Sequence, residues 1–122
     1  PQRSFFHDDN FAADRKRLKR LLEMMIERDL VIPGSAQVRT DVARDPELLD
    51  LMQRSGCHLV CLGLESVDQA TLDAYDKAQT VADIVESVDT LHTYAIRPHG
   101  MFVRGADTAT AQTVRDTVSF CL

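Results

Sequence analysis

Four short apolar segments, each followed by a cluster of polar residues, constrain this chain more than any other feature of its sequence. They lie at residues 3–6, 35–38, 57–64 and 101–103, and longer amphipathic stretches separate them. Those stretches carry apolar residues at three- and four-residue steps, which predicts helices. Strands that alternate with helices are typical of parallel βα units with right-handed crossovers. We therefore expect an α/β fold of about four such units.

The segment at residues 57–64 is the strongest strand candidate. It is nearly all apolar, and a strand of this kind is usually covered on both faces. We therefore expect it to be central in the sheet and buried on both sides.

Polar residues mark where the helices begin. Asp45 precedes Pro46, so the pair predicts a helix with Asp as N-cap and Pro at the first helical position. Ser66 also fits the pattern of a capping box. Three more residues are candidate caps for the first and last helices: Asp9, Asn10 and Asp107.

Length and charge limit what the chain can do. Its 122 residues leave room for one unit, residues 1–122, and not for two separate cores. A net charge of −5 argues against nucleic acid, and no apolar run approaches the ~20 residues of a membrane span. Three cysteines are too few for a disulfide scaffold and indicate a reducing compartment. We expect a cytoplasmic protein that binds a small molecule.

Four βα units are too few to close an eight-stranded barrel. We therefore expect a segment of a larger barrel-like domain. A sheet cut in this way leaves edge strands with unpaired backbone groups. The segment alone is expected to dimerise or to swap elements with a second copy.

The polar clusters predict where a ligand binds. In parallel α/β folds the loops after the strands converge at one edge of the sheet, beside helix N-termini. Here they offer acceptors for an ammonium and for ribose hydroxyls, and a guanidinium for a carboxylate, which suits a zwitterionic nucleoside-like ligand. The residues are His7, Asp8, Asp9, Gln37, Arg39, Asp41, Glu65, Ser66, Arg104, Gly105 and Asp107.

Several of these residues also have structural explanations. Arg39 could form an internal ion pair with Asp41 or Asp8, and Ser66 fits a helix cap. Glu65 is the best binding candidate, because a carboxylate directly after a buried strand lies at the mouth of the sheet.

Cys57 and Cys61 do not predict a metal site. Four residues along one strand separate their Cα atoms by about 13 Å, which is too far for shared coordination. Both are expected to pack in the core. The basic run at residues 15–20 lies on an amphipathic helix and is expected to be a solvated face.

Six motifs in order make the chain resemble the radical S-adenosylmethionine superfamily over nearly its whole length. The likeness is greatest to the branch that often carries a cobalamin-binding domain, and to the related methylthiotransferase-like group. The motifs are Phe6-His7-Asp8-Asp9-Asn10-Phe11, Gln37-Val38-Arg39-Thr40-Asp41, Asp45-Pro46-Glu47-Leu48-Leu49, Gly63-Leu64-Glu65-Ser66, Lys77, and Gly100-Met101-Phe102-Val103-Arg104-Gly105-Ala106-Asp107.

The resemblance implies a segment of a partial (β/α)6 TIM-like barrel, from its second to its fifth strand. It implies that Asp8 and Asp9 help to bind the methionine ammonium, and that Glu65 with Ser66 approaches the ribose. Arg39 is the implied partner of the carboxylate. Gly105 matches the position where backbone approaches the adenine.

One departure from the family is large. The CxxxCxxC loop that holds a four-iron four-sulfur cluster is absent from the chain. The cluster ligands are therefore expected elsewhere in a full-length enzyme, where a cobalamin domain is also allowed, and the segment alone is expected to be inactive. The substrate cannot be read from the sequence. Two other hypotheses stay open, a receiver-like metal-binding signalling module and a non-catalytic structural or interaction fragment.

Overall fold

The computed structural model describes residues 3–105, 107 and 109–122. Strands and helices alternate along the chain, as predicted. The elements are β1 (Ser4–Phe6), α1 (Arg15–Glu27), β2 (Gly34–Val38), a 3-10 helix (Thr40–Arg44), α2 (Pro46–Arg54), β3 (Cys57–Glu65), α3 (Gln69–Ala74), α4 (Val81–Thr93), β4 (Arg97–Phe102) and α5 (Ala111–Cys121).

The four strands form one parallel sheet in the order β1-β2-β3-β4. Sequential order without a reversal is the arrangement of a barrel wall and not of a doubly wound sheet. The predicted α/β class and the barrel segment are confirmed. Strands β1 and β4 form the edges of the described sheet, and self-association through them stays a prediction.

The core lies on one side of the sheet. Val60, Leu62 and Leu64 of β3 are at most 2% exposed, and they belong to the same buried cluster as residues of α2 and α4. The buried stripe of α2 is the one that its spacing predicts, and it consists of Leu48, Leu49, Leu51 and Met52.

The opposite face of β3 is only half-buried, so the expectation of cover on both faces was wrong. Residues 59, 61, 63 and 65 alternate with the buried ones and keep partial access to solvent. The reason is that the helices of the described chain pack against the other side. Apolar content alone does not distinguish a strand covered twice from the half-covered wall of a barrel.

The caps were predicted in part. Asp45 caps α2 by accepting a hydrogen bond from the Leu48 amide, as predicted. Asp14, and not Asp9 or Asn10, caps α1. The predicted start was too early because residues 9–14 form turns and the Phe11 amide donates to the Gln37 carbonyl instead.

The two later caps also differ from expectation. Asp68, and not Ser66, accepts from the Thr71 amide at the start of α3. Thr110, and not Asp107, caps α5 through a reciprocal bond with Thr113. In both cases a second capping residue lies two or three positions further on, and sequence alone does not decide between neighbours.

The C-terminal part of the fold is less buried than its pattern suggests. Strand β4 begins at Arg97, before the predicted residue 101, and Pro98 is tolerated because β4 is an edge strand. Helix α5 has no buried residue, and its apolar Val114 and Val118 are 37% and 48% exposed. No described helix is long and apolar enough to cross a membrane.

Candidate functional site

A cleft of about 480 Å³ opens where the first three strands end. Five predicted site residues line it together: Asp9, Gln37, Arg39, Asp41 and Glu65. The other lining residues are Asn10, Val38, Thr40, Gly63, Lys77, Ala78 and Gln79. The polar ends of the first three strands therefore meet in one basin, whereas the end of the fourth strand does not line it.

Glu65 sits in a strained backbone conformation at the centre of this basin. Its φ is 65°, and the Ser66 amide donates to the Leu64 carbonyl at 2.8 Å. That is the hydrogen bond of a γ-turn, and a γ-turn with positive φ is rare and strained. A register shift between β3 and β4 falls at the same place. Strain of this kind is concentrated at functional sites.

The Glu65 carboxylate is held over Gly63 and paired with Lys77. A Cβ at Gly63 would lie 2.9 Å from Glu65 Oε1, so glycine leaves the space that the carboxylate uses. Lys77 Nζ lies 3.0 Å from the same oxygen, and the Glu65 side chain is only 18% exposed. The carboxylate therefore presents a fixed acceptor to the cleft.

Arg39 is exposed at the cleft and forms no ion pair within residues 3–105, 107 and 109–122. The alternative pair with Asp41 does not form, because Arg15 takes that carboxylate at 3.0 Å. Asp8 is not its partner either. The Arg39 guanidinium is therefore available for a bidentate contact with a carboxylate.

A second cleft of about 270 Å³ adjoins the first at Glu65. Ser66 and Gly105 line it, together with Phe102 and residues at the start of α5. Ser66 is buried, and its hydroxyl accepts from the Asp68 amide at 3.0 Å. Gly105 has a φ of 101° and nothing within 4 Å of an added Cβ, so its backbone faces open space.

Asp8 is placed apart from the other candidates. Its carboxylate accepts from the Asn10 amide at 3.0 Å, and it lines a small separate cleft with Asp14 and Arg17. Asp107 is exposed between β4 and α5. The described geometry therefore brings Asp9, but not Asp8, to the main cleft.

Sequence reasoning missed Gln79. Its side chain lines the main cleft and contacts Thr40, two residues after β2, and Leu64 near the end of β3. No local signal marks it, because it lies in the linker between α3 and α4. Its position relative to β2 depends on contacts across 39 residues of chain.

Cys57 packs against the core cluster, as expected, but Cys61 lies on the half-buried face of β3 and does not belong to that cluster. Burial raises the pKa of the Cys57 thiol to about 11, so that thiol stays protonated at neutral pH. Cys57 and Cys61 both lie on β3, and Cys121 lies on α5. Within the described residues no group of three or more His, Cys, Asp or Glu side chains could hold a metal ion. The residues present do not fit an iron–sulfur cluster.

Comparison with known proteins identifies the fold family. No family model matches the chain. A curated relative, the anaerobic magnesium-protoporphyrin IX monomethyl ester cyclase of Cereibacter sphaeroides, is 34% identical over 113 residues, or 90% of this chain. The structure of the cobalamin-dependent S-adenosylmethionine radical enzyme OxsB with aqua-cobalamin bound superposes with a TM-score of 0.80 at 16% identity over 97% of the chain. This chain belongs to the radical S-adenosylmethionine superfamily.

A second solved structure supports the same assignment. The radical S-adenosylmethionine methyltransferase TsrM from Kitasatospora setae, with cobalamin and a [4Fe-4S] cluster bound, gives a TM-score of 0.77 at 18% identity over 98% of this chain. The resemblance inferred from the six motifs, including its cobalamin-associated branch, is confirmed.

The chain spans only a part of each protein that it matches. It covers 18% of the curated cyclase, 19% of OxsB and 25% of TsrM. A receiver-like module gains no support from these matches.

Proposed function

We propose that this chain is part of a longer radical S-adenosylmethionine enzyme and that its cleft binds S-adenosylmethionine. The observation that carries the proposal is the convergence of Asp9, Arg39 and Glu65 on one cleft at the carboxyl ends of the parallel strands. This set offers acceptors for an ammonium and for hydroxyls, and a cation for a carboxylate.

Each residue has a distinct role in the proposal. Asp9 accepts hydrogen bonds from the methionine ammonium, and Arg39 holds the carboxylate. Asp8, which lines a different cleft, is not assigned to the ammonium. Glu65 accepts from the ribose hydroxyls, and Lys77 keeps its carboxylate in place. Ser66 shapes the turn, and the open backbone at Gly105 faces the adenine in the second cleft.

The radical chemistry depends on groups outside this chain. Ligands from another segment of the full-length protein would hold a [4Fe-4S] cluster, which would supply the electron for reductive cleavage of S-adenosylmethionine to methionine and a 5′-deoxyadenosyl radical. Cobalamin, if the full-length protein uses it, belongs to a flanking domain. Residues 1–122 alone orient the cofactor and exclude water, and are inactive in isolation.

The proposal also covers the setting of the protein. We place the full-length enzyme in the cytoplasm, acting on a small-molecule substrate.

Binding measurements on the full-length protein test the proposal. Arg39→Ala and Glu65→Ala are each expected to raise the S-adenosylmethionine dissociation constant about 10- to 100-fold, because each removes a charge-assisted contact of about 1.5–3 kcal/mol. The matched controls are Arg20→Ala and Glu86→Ala, two exposed helical residues away from the cleft. Equilibrium dialysis with labelled cofactor gives the constants. Equal affinity in the site variants and the controls would overturn the proposal.

A further inference from the structure

We propose that Gln79 is a positioning residue that sets the spacing between Arg39 and Glu65 across the cleft. This inference rests on the proposed function, because the spacing matters only if one ligand contacts both residues. Gln79 itself is not assigned a direct contact with the reacting atoms.

One amide side chain joins two strand ends. The Thr40 hydroxyl donates to Gln79 Oε1 at 2.8 Å, and Gln79 Nε2 donates to the Leu64 carbonyl at 3.2 Å. The Gly63 carbonyl lies 3.5 Å from the same nitrogen. Thr40 directly follows Arg39, and Leu64 directly precedes Glu65. Gln79 therefore contacts the immediate neighbour of each binding residue.

Backbone pairing between β2 and β3 does not fix this spacing. The paired register of β2 and β3 ends at Val38 and Leu62, so Arg39 and Glu65 both lie beyond the last pair. Past that point the two strands diverge: β2 continues into the 3-10 helix, and β3 ends in the γ-turn at Glu65. Gln79 supplies a cross-strand link where backbone pairing has stopped.

The link is anchored to the core through α4. The Ser87 hydroxyl lies 2.6 Å from the Asp83 carbonyl and 3.1 Å from the Thr40 carbonyl, so its one proton is shared between the two, and Ser87 is 6% exposed. Lys77, in the same linker as Gln79, pairs with Glu65. The linker between α3 and α4 thus holds the Glu65 carboxylate with one residue and both strand ends with another.

A neighbouring glutamine provides a matched control. Gln69 Oε1 accepts from the Val81 amide at 3.1 Å and so ties the start of α3 to the start of α4. It makes no hydrogen bond to the end of β2 or of β3 in the described contacts. Loss of Gln69 perturbs the same linker without releasing the strand ends.

The test uses the full-length protein and measures the dissociation constant of S-adenosylmethionine and the melting temperature of each variant. Gln79→Leu is expected to weaken binding about tenfold, the equivalent of one hydrogen-bonded link. Gln79→Glu, which keeps the acceptor for Thr40 and loses the donor to Leu64, is expected to weaken binding similarly and covers the case in which Gln79→Leu does not fold. The dissociation constant of Gln69→Leu is expected to stay within about twofold of the wild-type value, even if its melting temperature falls as far as that of Gln79→Leu.

A double variant distinguishes positioning from general destabilisation. Thr40→Val removes the other end of the same link, so Thr40→Val with Gln79→Leu should bind about as well as Gln79→Leu alone. The positioning role would be overturned if the losses of affinity in Thr40→Val and Gln79→Leu multiplied in full in the double variant. It would also be overturned if Gln79→Leu weakened binding no more than Gln69→Leu does. If the wild-type protein binds S-adenosylmethionine, and Arg39→Ala weakens that binding but the Gln79 variants do not, only this inference fails. If wild type does not bind, or Arg39→Ala binds equally well, the proposed function fails and this inference fails with it.

Discussion

The two faces of strand β3 have different tasks. The even-numbered residues at its centre, Val60, Leu62 and Leu64, are at most 2% exposed and pack on the helix side. The odd-numbered residues on the other face are half-buried and end in Glu65, whose backbone is strained. Stability therefore resides on one face of the strand, and the polar site resides at the end of the other. Because successive side chains of a strand point to opposite faces, one strand can contribute to the core on one face and to the polar site on the other.

The largest expected effect that tests this difference between the two faces comes from a cavity on the helix face. Leu62→Ala is expected to lower the free energy of unfolding by about 2–5 kcal/mol, because Leu62 is fully buried among apolar side chains. Its matched partner, Cys61→Ala, removes one atom from the half-buried face and should cost about 1 kcal/mol or less. Urea unfolding of both variants gives the comparison. Equal losses would show that the two faces are packed alike.

An intermediate effect comes from Cys57, the first residue of β3. The pKa of its thiol is about 11 in the folded protein, against 9.0 for a free thiol. Between those values the Cys57 thiol ionises in the unfolded chain but stays protonated in the folded chain. The free energy of unfolding is therefore highest below pH 9 and falls as the pH rises toward 11. The expected loss is about 1–3 kcal/mol.

Chemical unfolding at pH 8.5 and at pH 11 measures this loss. Cys57→Ala should remove most of the difference between the two pH values, whereas Cys121→Ala, on the exposed end of α5, should leave it in place. An equal loss of stability between the two pH values in the wild type, Cys57→Ala and Cys121→Ala would mean that Cys57 is not the group that titrates.

The smallest effect is expected at Val118 of α5, an apolar residue that is largely exposed. Val118 is 48% exposed, so Val118→Ser should change the free energy of unfolding of this chain by no more than about 0.5 kcal/mol. A loss above about 1.5 kcal/mol would show that the helix is packed more closely than its exposure indicates.

The sequence predicted what local periodicity and capping control. The alternation of strands and helices, the buried stripe of α2 and the Asp45 cap follow from spacing over a few residues. The polar ends of the first three strands met as expected, because parallel strands bring their carboxyl ends to one edge, whereas the end of the fourth strand lines a second cleft. Asp9, Arg39 and Glu65 could be placed together on that basis alone.

What depended on distant contacts was not predicted. The strained φ of Glu65, the cross-strand link of Gln79 and the pairing of Asp41 with Arg15 arise from residues brought together by folding. The exposure of the second face of β3 escaped prediction for a related reason. An apolar strand looks the same in sequence whether its second face is covered by helices or forms the wall of a barrel.

The most direct test of the central claim is a crystal structure of the full-length protein with S-adenosylmethionine bound. The cofactor is expected in the cleft at the carboxyl ends of β1 to β3, with its carboxylate within hydrogen-bond distance of Arg39 and its ribose hydroxyls on Glu65. Cofactor bound elsewhere, with Arg39 and Glu65 both free of it, would contradict the claim.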